Sequence, residues 1–120
     1  MKYEDIKNAL SLVQDPVEKL EMVMDFGKQL PEVPVGADCS EIFGCTSFVK
    51  ICRLNNIFYG YADSAMVKGI VAIILSMVEG KSLEDIKSMD MESEFKSLNL
   101  NFGASRLNGI HSMINFFKKL

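Results

Sequence analysis

Tryptophan is missing from this chain, and histidine occurs once among 120 residues. Cysteine and proline occur three times each. Each scarcity narrows the possible functions. A Cys–His nucleophile pair would have only His111 as its base, and the spacing of the last helix leaves that residue off the main apolar stripe, as a solvated or partly exposed side chain. Zinc sites draw their ligands in close pairs, whereas Cys39, Cys45 and Cys52 stand six and seven residues apart. No metal and no cofactor is therefore expected. Lys and Arg total 13 against 16 Asp and Glu, a net charge of -3, which is not the basic balance of a nucleic-acid binder. The longest mostly apolar stretch, Ile70 to Val78, is too short to cross a bilayer. Gly80-Lys81-Ser82 lacks the upstream glycine of a phosphate loop, and a helix end followed by a helix start accounts for it. The start, Met1-Lys2-Tyr3-Glu4-Asp5, is neither a secretory signal nor an Arg-rich transit peptide. A cytoplasmic location is the expectation, and in a reducing compartment all three thiols are expected to be free.

What is present suits a single domain over residues 1–120. Hydrophobic residues make up 48% of the chain, and eight methionines give an adaptable core. Ile6, Leu10 and Val13 fall at helical spacing over Tyr3 to Val13. Asp15-Pro16-Val17-Glu18 reads as a capped helix start, and that helix runs through Leu20, Val23, Met24 and Gly27 to Leu30, ahead of Pro31. An irregular, Pro- and Gly-containing segment follows to about Phe43. Thr46 to Leu54 and Ile57 to Tyr61 read as two strands joined by an Asn55-Asn56 turn, with Val49 and Ile51 on one face and Phe48 on the other. Asp63-Ser64 caps a helix from about Ala65 to Glu79, stopped by Gly80. Short helices follow from Ser82 and over Glu92 to Leu98. The last helix, Ser105 to Lys119, carries a stripe of Leu107, Ile110, Ile114 and Phe117. A hairpin alone is marginal, so the helices must cover it. The fold class is α+β, a small antiparallel β-sheet packed by helices.

Chemistry concentrates at Gly44-Cys45-Thr46-Ser47-Phe48-Val49. A cysteine after a glycine, where loop passes into strand, has an uncovered approach to its sulfur and is a candidate nucleophile for group transfer. The competing reading is a small buried hydrophobe. Asp63 reads most simply as a cap. Lys68 lies in an otherwise apolar helix, where its ammonium needs a partner or a route to the surface. Arg106 opens the last helix, where the dipole disfavours a cation, and such local misfits point to function.

Taken together, these segments resemble the SufE-like sulfur acceptor family, from about Val17 to the C-terminus. Phe26-Gly27-Lys28-Gln29-Leu30-Pro31 looks like its G-x-x-L-P signature, and Gly44-Cys45-Thr46-Ser47-Phe48-Val49 like its G-C-x-S-x-V motif. Asp63-Ser64-Ala65-Met66-Val67-Lys68-Gly69-Ile70 and Ser105-Arg106-Leu107-Asn108-Gly109-Ile110 match two further motifs, and all four occur in family order. The resemblance implies a SufE/IscU-like fold and a role in iron–sulfur cluster assembly. Cys45 would take persulfide sulfur from a pyridoxal-phosphate cysteine desulfurase of SufS-like or CsdA-like type, stimulating it, and pass that sulfur to a SufBCD-type scaffold. Ser47, Asp63, Lys68 and Arg106 match family positions as supporting residues. The implied protein is a sulfur-transfer partner without independent enzyme activity, a monomer or weak dimer, and engages neither membrane nor nucleic acid. Phe43 and Lys50 stand where the family often has Gln and Trp, which bears on partner choice rather than thiol chemistry. Cys39 is either a resolving thiol or an incidental loop cysteine. Two alternatives stay open: an IscU-type cluster scaffold, whose three-cysteine spacing this chain does not match, and a desulfurase-binding regulator that carries no sulfur.

Overall fold

Helical and alternating apolar spacings resolve into six helices and one sheet in the computed structural model, which describes residues 1–120. In chain order these are α1 (Tyr3–Ser11), α2 (Pro16–Gly27), β1 (Asp38–Glu41), β2 (Val49–Leu54), β3 (Ile57–Ala62), α3 (Ala65–Val78), α4 (Leu83–Ser88), α5 (Met91–Ser97) and α6 (Ala104–Lys118). The sheet is antiparallel throughout, with β2 between β1 and β3. This is the α+β class read from the sequence.

α3 is the centre of the core. Val67, Ile70, Val71, Ile73, Ile74, Met77 and Val78 are all buried along it, so apolar residues surround it on nearly every side. Ser64 caps it by accepting from the Val67 N–H. α2 crosses α3 at glycine against glycine. A Cβ on Gly27 would lie 2.6 Å from the Gly69 nitrogen, and one on Gly69 would collide with the Val23 carbonyl oxygen. On the other side β3 lies against α3. Gly60, opposite Ile51, leaves room for Val71 and Leu75. β2 turns into β3 through Asn55 and Asn56, both at positive φ (52° and 63°), the two-residue turn that asparagine tolerates. α6 completes the core with Ile110, Met113, Ile114 and Phe117, and Phe117 meets Phe58 of β3 edge-on at 5.1 Å between ring centroids.

Five features differ from the sequence reading. α2 ends at Gly27 rather than Leu30; the chain turns through Lys28 and Gln29, and Pro31 disfavours helical backbone at Leu30. β1 occupies a segment read as irregular. All four of its side chains are exposed, so it carries no inside–outside alternation to read. β2 begins at Val49, not Thr46, which leaves Cys45 within a loop. Leu107 is 49% exposed, and Met113 takes its place on the buried stripe of α6. Finally, the thiols are not all free. Cys39 in β1 and Cys52 in β2 are register partners joined by a disulfide. Their separation of 13 residues reveals nothing of this until β1 is known to be a strand. Cys39 is thus neither a loop cysteine nor a free resolving thiol in this state.

Candidate functional site

β1 and β2 form a hairpin whose connecting segment, residues 43–48, carries Cys45. The base of the hairpin is closed where the Ile42 N–H donates to the Val49 carbonyl at 2.9 Å, and Ile42 is buried there. Beyond it the loop folds down onto α6. Gly44 adopts φ +92°, a conformation that favours glycine, and a Cβ there would stand 2.7 Å from the Ser112 hydroxyl. Cys45 then seats on Gly109. A Cβ at residue 109 would lie 2.9 Å from the Cys45 Sγ and 3.4 Å from its Cα. Two glycines, one from each partner surface, therefore let the loop tip reach the helix.

Cys45 is the free cysteine of the chain and is half-buried. Burial pushes its thiol pKa up, because the thiolate loses hydration on that surface. The seated sulfur is accordingly a neutral thiol rather than an activated nucleophile, and attack requires exposure to solvent or to a charged partner.

The other arm of the loop is tied to β3. The Phe48 N–H donates to the Asp63 carboxylate at 3.1 Å, while the Asp63 N–H donates to the Phe48 carbonyl at 3.3 Å. Asp63 is therefore a loop anchor; Ser64, not Asp63, caps α3. The Phe48 ring packs on Tyr61 with centroids 6.1 Å apart. Tyr61 also draws two cations, the Lys50 Nζ at 5.8 Å and the Lys68 Nζ at 5.7 Å from its ring centroid. Lys68 is half-buried and ends over this ring, which reconciles its apolar helix with its charge. An aromatic patch with two lysines, bordered by the carboxylates of Glu41 and Asp63, thus flanks the thiol loop, with Phe43 75% exposed at the tip.

The remaining sequence candidates separate. Ser47 is half-buried in the loop. Arg106 lies on α6 one turn before Gly109, on the side of the helix that receives the loop; its Nε is buried and has no hydrogen-bond partner. His111 faces away, its Nδ1 3.0 Å from the Glu92 carboxylate on α5, so it does not serve Cys45 as a base. No three His, Cys, Asp or Glu side chains converge as a metal-holding group. Sequence reasoning missed Gly109 and Tyr61. Gly109 stood inside a quoted motif, and a glycine within a helical run was the available signal for a close approach.

Comparison with known proteins identifies a family and a shared fold. Residues 4–120 match the family described as SufE, Fe-S metabolism associated domain. An uncharacterized SufE-like protein of Rhizobium meliloti is 31% identical over 113 residues, covering 84% of this chain and 81% of that protein. The sulfur acceptor protein CsdE of Escherichia coli is 27% identical over 119 residues, covering 92% of this chain and 81% of its own. The cysteine desulfuration protein SufE of Wigglesworthia glossinidia brevipalpis is 31% identical, covering 98% and 88%. A hypothetical protein of Thermus thermophilus, solved in solution, shares the fold with a TM-score of 0.69 at 16% identity, covering 99% of this chain and 94% of its own.

Proposed function

Because the chain belongs to the SufE family, we propose that it is a sulfur acceptor for a cysteine desulfurase and that Cys45 is the accepting residue. The observation that carries this reading is the position of Cys45, a free thiol at the tip of a hairpin loop seated on α6 by two glycines. The relatives named a sulfur acceptor protein and a cysteine desulfuration protein supply the reaction class.

In this reading a SufS-like or CsdA-like desulfurase presents a cysteine persulfide formed by its own chemistry. The Cys45 thiolate attacks the outer sulfur. A new S–S bond forms at Cys45, the old one breaks, and the desulfurase cysteine leaves as a thiolate, relieving that enzyme of its product and stimulating it. The outer sulfur keeps its proton, so Cys45 ends as a persulfide. A SufBCD-type scaffold then takes the sulfur by the same exchange. The seated loop suits storage, since a half-buried sulfur is shielded from stray thiols. The released loop suits transfer, since a solvated thiol ionises more readily.

The supporting residues act through position and charge. Asp63 holds the Phe48 arm, so that the loop swings from a fixed point. Lys50 and Lys68 beside Tyr61 are the cations of this flank and suit an acidic segment of the partner surface. Arg106, one turn before Gly109 on α6 and with a buried Nε that has no partner, is the candidate donor to the terminal sulfur. Ser47 lies two residues from the thiol as a further donor. The IscU-type alternative asks for three ligating cysteines, and two of the three here are bonded to each other.

The test is the mass of the protein after turnover. Incubated with a cysteine desulfurase and cysteine, the peptide holding Cys45 should gain one sulfur, about 32 Da by the covalent chemistry. Cys45→Ser should abolish that gain. Sulfur found on Cys39 or Cys52 alone, or a Cys45→Ser protein that still stimulates the desulfurase fully, would overturn the assignment; the second result would favour a regulator.

A further inference from the structure

Cys39 and Cys52 lie outside the acceptor site, yet they bracket it. Cys45 falls six residues after Cys39 and seven before Cys52, so the disulfide closes a covalent ring whose far end is the thiol loop. The strand it fastens has little else to hold it. β1 is an edge strand of four residues, and none of its side chains is buried. Along the whole arm from residue 38 to residue 44, Ile42 is the single buried side chain. Backbone hydrogen bonds to β2, Ile42 and the disulfide therefore fix the N-terminal side of the Cys45 loop. Segments with so few buried contacts open at low free energy unless a covalent link prevents it.

The two sulfurs are unequal. Cys39 is exposed, whereas Cys52 is 1% exposed. A thiolate arriving from solvent meets Cys39 first, and exchange at that sulfur expels Cys52 into a site that suits a neutral thiol.

We propose that the Cys39–Cys52 pair is a thiol–disulfide exchange site for a dithiol reductant, and that its state sets how readily the Cys45 loop leaves α6. One thiolate of the reductant attacks the Cys39 Sγ, forming a mixed disulfide and breaking the bond to Cys52. The Cys52 thiolate takes up a proton. The second thiol of the reductant then attacks its own sulfur in the mixed disulfide and releases Cys39. Two electrons pass to the pair, and the reductant leaves as a disulfide. With the ring open, β1 is free to peel from β2 and carry Gly44 and Cys45 away from Ser112 and Gly109. In the oxidised state the loop is held and sulfur acceptance is slow; in the reduced state it is fast. That last consequence rests on the acceptor reading above, whereas the control of loop release does not.

The experiment reads loop release without a desulfurase. Three samples are treated with iodoacetamide, and the rate at Cys45 is followed by peptide mass mapping. They are the oxidised protein, the protein reduced with dithiothreitol and desalted, and the double variant Cys39→Ser, Cys52→Ala. Reduced protein and double variant should label Cys45 about tenfold faster than oxidised protein, roughly half of what closing such a ring contributes on a logarithmic scale. Rates equal within about twofold, or faster labelling when oxidised, would overturn the proposal. So would peptide maps of oxidised protein with no Cys39–Cys52 link, or circular dichroism showing that reduction unfolds the chain, which would make the disulfide a plain staple. The reduced protein decides the matter if the double variant does not fold. Failure here leaves Cys45 standing as the acceptor, and failure of persulfide formation at Cys45 leaves this result untouched.

Discussion

Cys45 rests on α6 because residue 109 has no side chain: its Sγ lies 2.9 Å from where a Cβ of residue 109 would be. Gly109 is inside a helix, where alanine is the better residue by about 1 kcal/mol. The two preferences oppose each other, and the loop's seat is what glycine preserves. Gly109→Ala should therefore leave the melting temperature unchanged or slightly raised while displacing the loop tip. Iodoacetamide labelling of Cys45 should accelerate. Wild-type labelling in a folded Gly109→Ala protein would mean that the helix does not hold the thiol.

The Phe48–Asp63 pair fixes the opposite arm of the loop through two hydrogen bonds, one of them to the carboxylate. Asp63→Ala removes that acceptor at an exposed position, so denaturant unfolding should show a loss of only about 0.5–1.5 kcal/mol. The effect on the loop should be larger than the effect on the fold, with Cys45 labelling faster and persulfide formation less efficient because the thiol is no longer aimed. Asp63→Asn keeps an oxygen at the same place and should restore most of the wild-type behaviour. If Asp63→Ala and Asp63→Asn behave alike, the anchoring role is wrong.

Much of this site was legible from residue order, and the parts that were not share a physical cause. The Asn55-Asn56 turn, the apolar helix α3 and the buried face of Val49 and Ile51 follow from local conformation and period, and each is found as read. Cys45 stood out through its own neighbours. β1 did not, because a fully exposed edge strand has no apolar alternation, and with β1 hidden the Cys39–Cys52 link was hidden too. The motif glycines carry a similar message. Gly27 and Gly69 serve the crossing of α2 over α3, and Gly109 serves the seat of Cys45. A sequence marks such glycines but does not say which backbone approaches them. Asp63 looked like a cap because Asp-Ser before a helix is a capping pattern; Ser64 alone fills that role, and long-range pairing with Phe48 claims the carboxylate.

Burial of the Cys45 thiol also makes a prediction about pH. Its pKa in the folded protein is raised by desolvation, against an ordinary thiol value of about 8.5. Below that ordinary value both the seated and the unfolded chain hold the proton, and the seat contributes its full stability. As pH rises from there towards the folded-state pKa, the unfolded chain loses its proton while the seated thiol keeps it, so stability falls with pH across that window. The labelling rate of Cys45 should accordingly have its midpoint above about 8.5 in the wild-type protein. Gly109→Ala, which lifts the thiol from α6, should bring the midpoint back towards the free value. A wild-type midpoint at or below the free value would show that the thiol is stabilised as the anion at rest, and the storage role assigned to the seated loop would then be wrong.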